Sequence, residues 1–168
     1  MDWKLLLGHR ITKFASAAAI IGSVYMAQPY RPVVVVGKSM SPTYVDREVL
    51  LSTTNADVIK KGDVVIIDGP DGPLVKRVAF APGDWMELRF FAHQWRPAFD
   101  LKFEHMKRLD RVPVRNVQIP QDYVYVVGDN PIHSIDSRHF GVLPLENIRG
   151  KVLNPRATQY KTQENSSS

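Results

Sequence analysis

A serine beside a glycine and a proline, a lysine among aliphatic residues and a dense polar run are the features of this chain that could do chemistry. The first is Gly37-Lys38-Ser39-Met40-Ser41-Pro42-Thr43, directly after the apolar run Val33–Val36. A serine on a sharp turn at a strand end can present its hydroxyl with backbone N–H groups beside it, as a nucleophile and an oxyanion hole require. The second is Leu74-Val75-Lys76-Arg77-Val78. Successive side chains of a strand point to opposite faces, so Leu74, Lys76, Val78 and Phe80 share one face and Val75, Arg77 and Ala79 the other. Lys76 is then the single charge on an apolar face. A lysine base must lose its proton near neutral pH, and an apolar wall without a carboxylate partner favours the neutral amine by desolvation. A lysine that only guards a sheet edge would sit the same way. The third feature runs from Gly128 to Gly141 and holds Asp129, His133, Ser134, Asp136, Arg138 and His139. Asp136 and Arg138 could pair and buttress a loop, and Ser134 could aim a neighbour. His133 and His139 also permit a Ser-His-Asp arrangement with Ser39 and either Asp129 or Asp136. Spacing alone leaves serine–lysine and serine–histidine chemistry both open.

Other chemistries are excluded or disfavoured. The chain has no cysteine, which rules out disulfides, thiolate metal sites, iron–sulfur clusters and cysteine nucleophiles. No glycine-rich phosphate loop is present, and the five histidines fall into no metal-ligand spacing, so neither a metal nor a cofactor is expected.

These residues must be positioned by short strands. After Pro29 and Pro32 the chain reads as β-branched runs separated by Gly, Pro and Asp: Val33–Val36, Glu48–Ser52, Asp63–Asp68, Leu74–Phe80, Trp85–Phe91, Val112–Ile119, Tyr123–Val127 and Ile148–Leu153. The turn Gly69-Pro70-Asp71-Gly72-Pro73 predicts a hairpin. At 168 residues the chain is long enough for one cored domain. The pattern predicts a mainly β fold, a compact antiparallel sheet domain over residues 32–157. The polar residues 158–168 read as a disordered tail.

The charge is unevenly placed. The chain carries +5 overall, with +3 in residues 1–31 and +4 in residues 89–115, so the remainder is net acidic. Both basic regions hold aromatics, Trp3 and Phe14 in the first, Phe90, Phe91, Trp95, Phe99 and Phe103 in the second. Cations with rings suit nucleic acid or an anionic membrane surface. The N-terminus favours the membrane, and no nucleic-acid partner is expected. Between Lys13 and Arg31 run seventeen uncharged residues, Phe14 to Tyr30. As a helix they span roughly 26 Å, close to a bilayer's hydrocarbon thickness. Residues 1–31 therefore read as a basic N-terminus with one transmembrane helix. The basic flank keeps the N-terminus on the cytoplasmic or matrix side and sends the remainder across. A cleaved leader shares this layout.

Taken in order, these elements resemble the type I signal peptidases, membrane-bound serine–lysine endopeptidases that include the mitochondrial inner-membrane peptidases. The matching residues are Ser39-Met40 with Pro42-Thr43, Lys60-Lys61-Gly62-Asp63-Val64-Val65, and Lys76-Arg77-Val78 with Pro82-Gly83-Asp84. They continue with Gly128-Asp129-Asn130, Ser134, Asp136-Ser137-Arg138 and Phe140-Gly141. The resemblance spans about residues 10–155 and implies a serine endopeptidase that removes signal peptides from exported pre-proteins after small residues at −1 and −3. It implies Ser39 as nucleophile, Lys76 as general base, Ser134 as the serine that orients the lysine, and Asp129, Asp136 and Arg138 as structural support. His133 and His139 become bystanders. The Ser39 backbone N–H forms half of the oxyanion hole, and the position that in some members supplies a second, hydroxyl donor is Gly37, so that donor must come from backbone. Val35 and Met40 are candidates for the substrate pockets. The setting implied is a bacterial cytoplasmic membrane with the catalytic domain on its outer side, or alternatively the mitochondrial inner membrane facing the intermembrane space. No partner subunit can be read. Residues 84–120 form a short basic-aromatic insert, whose content fits a flap resting on lipid.

Two other readings compete. A self-cleaving serine–lysine repressor shares the β architecture but carries an N-terminal DNA-binding domain, which an Ala-rich run of thirty residues cannot be. A non-catalytic exported β module that binds lipid or nucleic acid accounts for the insert, yet not for Lys76 or for residues 128–141.

Overall fold

The β-branched runs fold as strands because each lies between residues that turn the chain, and antiparallel pairing joins neighbours through tight connections. The computed structural model describes residues 28–56, 58–69, 72–100 and 112–158, with Ser16, Ala19, Gly22 and Ser23. Its strands are β1 (Tyr30–Val34), β2 (Val49–Thr53), β3 (Val64–Gly69), β4 (Gly72–Phe80), β5 (Trp85–Phe91), β6 (Gln94–Pro97), β7 (Val114–Gln118), β8 (Tyr123–Val127), β9 (Leu143–Pro144) and β10 (Ile148–Val152). One short helix, α1 (Ser137–Phe140), follows β8. A seven-stranded sheet has the order β1-β2-β10-β3-β4-β8-β9, and a three-stranded sheet the order β6-β5-β7. Every pairing is antiparallel, so the mainly β reading holds.

The large sheet positions the polar features. β3 lies near its middle and buries Val64, Val65, Ile66 and Ile67 in succession. Val64 and Ile66 pack with Val35, Met40, Tyr44, Leu50, Val75 and Val152. Val65 and Ile67 pack on the opposite side with Val78, Val124, Val126 and Leu143. A strand covered on both faces reads as a continuous apolar run, and each such side chain contributes about 1.5–3 kcal/mol. The predicted β3–β4 hairpin pairs from Val64↔Arg77 to Gly69↔Gly72. β10, last in the chain, lies between β2 and β3.

The insert expected at 84–120 contains the small sheet, formed by β5, β6 and β7. A third core cluster of Met86, Ile119 and Tyr125 joins it to the large sheet, with Phe80 packed alongside. β6 and β9 were not legible as runs: one is Gln-Trp-Arg-Pro and the other two residues long.

Ten of the seventeen residues of the membrane helix expected at Phe14–Tyr30 lie outside the described residues. Among the described residues no helix is long and apolar enough to cross a membrane. Tyr30 and Arg31, expected at the outer end of that segment, are already paired in β1 with Thr53 and Ser52. The tail beyond Thr158 also lies outside the described residues.

Candidate active site

Ser39 sits in the loop between β1 and β2. Val35 closes the base of this loop: its amide donates to Glu48 O and its carbonyl accepts from the Arg47 amide. Inside the loop the Tyr44 amide donates to Met40 O, forming one helical turn just beyond the serine. Met40 and Tyr44 are buried beneath it. The Arg156 amide donates to Tyr44 Oη, and its guanidinium reaches Thr43 O and Glu48 and lies over the Tyr44 ring. This chain-end strap holds the loop from outside.

Lys76 lies at the centre of β4, opposite Val65, and is 2% exposed. Its Nζ lies 3.0 Å from Ser39 Oγ. Two segments far apart in sequence are thus brought into hydrogen-bond contact. Burial pushes the lysine below its usual range; Asp136 opposes that shift and Arg138 reinforces it. The expectation of an apolar wall with no carboxylate nearby is therefore corrected. Asp136 is close enough to act on the amine, and it is already matched by an arginine.

Residues 128–140 close the far side of the site. Asp136 has no exposed surface. It accepts from the Gly128 amide at 2.8 Å, Ser134 Oγ at 2.6 Å, and Arg138 Nε and Nη2 at 2.8 and 2.5 Å. It also caps α1 by accepting from the Arg138 amide. Burial alone would raise this carboxyl; the hydrogen bonds from Arg138, Gly128 and Ser134 outweigh it and hold Asp136 below the usual carboxylate range. Asp129 is held separately by a fork from Arg77, at 2.8 and 2.7 Å, while Arg77 Nη1 donates to Gly62 O. The Asn130 amide donates to Ser39 O, tying this loop to that of the serine.

The other predicted residues fall as follows. Ser134 donates its hydroxyl proton to Asp136 and keeps its lone pairs to accept, while among the described residues the hydrogen bond of Lys76 Nζ is to Ser39. The Gly37 amide donates to Asp46 Oδ1 at 2.7 Å, so it is not free to receive an oxyanion. The Ser39 amide has no partner among the described residues. Val35 lines the groove beside Ser39, but Met40 is fully buried and forms no part of its wall. His133 faces Asn130, and His139 completes the α1 capping box. Neither is hydrogen-bonded to Ser39, so among the described residues no histidine triad forms. No cluster of His, Asp or Glu there could hold a metal ion.

Ser39 opens into a groove of about 820 Å³ between β1 and the start of β4, lined by Val33, Val35, Ile66, Leu74 and Val75 among others. β1 is the sheet's edge, and β4 pairs with β8 only from Arg77 onward. Both walls therefore offer backbone without a neighbouring strand, and an extended peptide can lie between them.

Gly128 fits where nothing larger can. A Cβ there would lie 2.3 Å from Ser134 Oγ and 2.5 Å from the carbonyl oxygen of Ser39. Gly128→Ala is expected to displace the Ser39 loop and cut activity on the order of 100-fold, as misplacement by about 1 Å does. Substrate turnover beside a melting curve checks it.

Comparison with known proteins bears on the same residues. A family model described as signal peptidase, peptidase S26 matches residues 8–155. Signal peptidase I P of Bacillus subtilis subsp. natto is 32% identical over 139 residues, covering 72% of this chain and 73% of its own. Signal peptidase I S of Bacillus subtilis is 31% identical over 157 residues, 80% and 83% of the two chains. Mitochondrial inner membrane protease subunit 2 of Schizosaccharomyces pombe is 36% identical over 127 residues, 70% of this chain and 59% of that one. With the match running through both the serine loop and the lysine strand, the chain belongs to the signal peptidase family, peptidase S26.

Proposed function

We propose that this protein is a membrane-bound signal peptidase I that cuts signal peptides from exported pre-proteins by a Ser39 nucleophile and a Lys76 general base. The observation that carries this reading is the buried Lys76 amine 3.0 Å from Ser39 Oγ, at a groove that fits an extended peptide. Ser39 Oγ attacks the scissile carbonyl and its proton passes to Nζ of neutral Lys76. The tetrahedral oxyanion meets the Ser39 amide. When it collapses, the lysine returns the proton to the departing amine and an acyl-enzyme remains. Water, deprotonated by the same lysine, attacks the ester and frees Ser39. Burial keeps the amine unprotonated further toward neutral pH than a free lysine's value of about 10.4.

Asp136, Arg138, Asp129 and Arg77 frame the site, and Ser134, held by Asp136, orients the lysine. The small aliphatic groove residues, Val33, Val35 and Val75, fit short side chains before the cleaved bond. An apolar run ahead of β1, residues 14–29, anchors the domain, which faces the outer side of the cytoplasmic membrane. The mitochondrial relative supports a second setting, the inner membrane facing the intermembrane space, with unchanged chemistry. Exposed Trp85, Phe90 and Trp95 on the small sheet support contact of the insert with lipid.

Detergent-solubilised protein and a pre-protein with an Ala-x-Ala site test the reading across pH 6 to 10. The wild-type rate is expected to rise with pH through the lowered lysine value, and Ser39→Ala to be inactive at every pH. Cleavage surviving Ser39→Ala would overturn the assignment.

A further inference from the structure

Arg138 forks Asp136 with Nε and Nη2, but its remaining nitrogen, Nη1, turns the other way and meets Asp100 Oδ1 at 3.0 Å. Asp100 ends the 3-10 turn Ala98–Asp100 that follows β6, so it belongs to the insert and lies 38 residues from its partner. The contact is sheltered: the side chains of Arg138 and Asp100 are 9% and 19% exposed. Its neighbour Phe99 holds the turn down, with ring centroids 5.6 Å from Phe80 and 6.3 Å from Tyr125. Beside the core cluster of Met86, Ile119 and Tyr125, this turn of the insert thus adds an aromatic anchor and an ion pair that reaches the Asp136–Arg138 framework.

We propose that Asp100 is a positioning residue for the Lys76 amine, holding the Arg138 guanidinium across Asp136 so that the carboxylate's charge stays matched. The inference rests on the serine–lysine reading above and extends it to a residue in the insert. An arginine held at both ends cannot swing away from Asp136, because withdrawing it would break the bond to Asp100 and leave two sheltered carboxylates unpaired. The charged groups acting on Lys76 are Asp136, which favours its protonated form, and Arg138, which opposes it. The Ser39 hydroxyl is the polar group in direct contact. Arg77, next along β4, is neutralised by Asp129. Asp100 therefore works through where Arg138 sits.

The test is Asp100→Asn, which keeps the volume and removes the charge, with Asp100→Glu as the conservative variant, both in the full chain in detergent. Cleavage profiles from pH 6 to 10 are expected to show the rising limb of Asp100→Asn moved to higher pH. The loss should be about 3- to 10-fold at pH 7 and close to within about twofold at pH 10, with Glu restoring most of it. A purely structural role predicts the same loss at every pH, and a direct field from Asp100 predicts a shift to lower pH; either result overturns the proposal. NMR titration of the Lys76 side chain in wild type and Asp100→Asn reads the same quantity without turnover. An unmoved midpoint there refutes the role of Asp100, whereas a moved midpoint with no cleavage by wild type refutes the peptidase reading alone.

Discussion

Lys76→Met is expected to abolish cleavage and, at neutral pH, to raise the melting temperature. The loss of activity follows from removing the group that, among the described residues, is hydrogen-bonded to Ser39 Oγ, the role of a general base being worth about 10²- to 10⁴-fold. The gain in stability follows from the direction of the lysine's shift. Burial lowers its folded-state value, so the unfolded chain binds the proton more tightly than the folded one. The folded protein then bears a penalty that is full below the folded-state value and fades as pH rises through the unfolded value of about 10.4. Methionine fills similar space with no charge. Thermal melts should show the variant ahead at pH 7 and the gap shrinking by pH 10. Each kcal/mol corresponds to about 2–4 °C in a chain of this size. A variant less stable than wild type at pH 7 would show that packing, not charge, dominates there.

Asp136→Ala should give the largest loss of stability of any single change in the site. The carboxylate accepts from Gly128, Ser134 and Arg138 with no surface exposed, and its removal leaves the buried guanidinium with Asp100 alone. Breaking a buried pair from one side costs about 3–5 kcal/mol, roughly 6–20 °C here. The carboxyl's value is depressed, so its contribution is present above about pH 3.9, the unfolded value, and is lost as pH falls through the folded one. The gap between wild type and variant should therefore narrow only in strong acid. A drop under about 2 °C at pH 7 would mean that Arg138 finds another partner.

The contact of Ser39 with Lys76 was legible because the two sit on a turn and a strand whose local sequence marks them as candidates. A lysine at the centre of a largely aliphatic strand is conspicuous in one dimension. What surrounds it is not. Nothing near Asp100 indicates that it meets Arg138, and Arg156 gives no sign of reaching back to Thr43, since both contacts join segments distant in the chain. Ser134 was read as aiming at the lysine, and its bond to Asp136 two residues on, which fixes its hydroxyl proton, was not foreseen. Gly37 and Met40 were judged by their place beside the serine. The turn instead gives the Gly37 amide to Asp46 and tucks Met40 under the loop. β5 and β8 fall where their branched and aromatic residues place them, whereas two-residue β9 exists only because β8 offers it an edge.

β10 sits between β2 and β3 although it is the last strand made. Until residues 148–152 have been synthesised, the strand that hydrogen-bonds β2 to β3 is missing, and the strap at Arg156 comes later still. A nascent chain halted between residues 76 and 148 thus holds Ser39 and Lys76 but lacks the strand that hydrogen-bonds β2 to β3. The order of the strands makes residues 148–152, which carry none of the proposed chemistry, a condition for completing the sheet in which that chemistry is set.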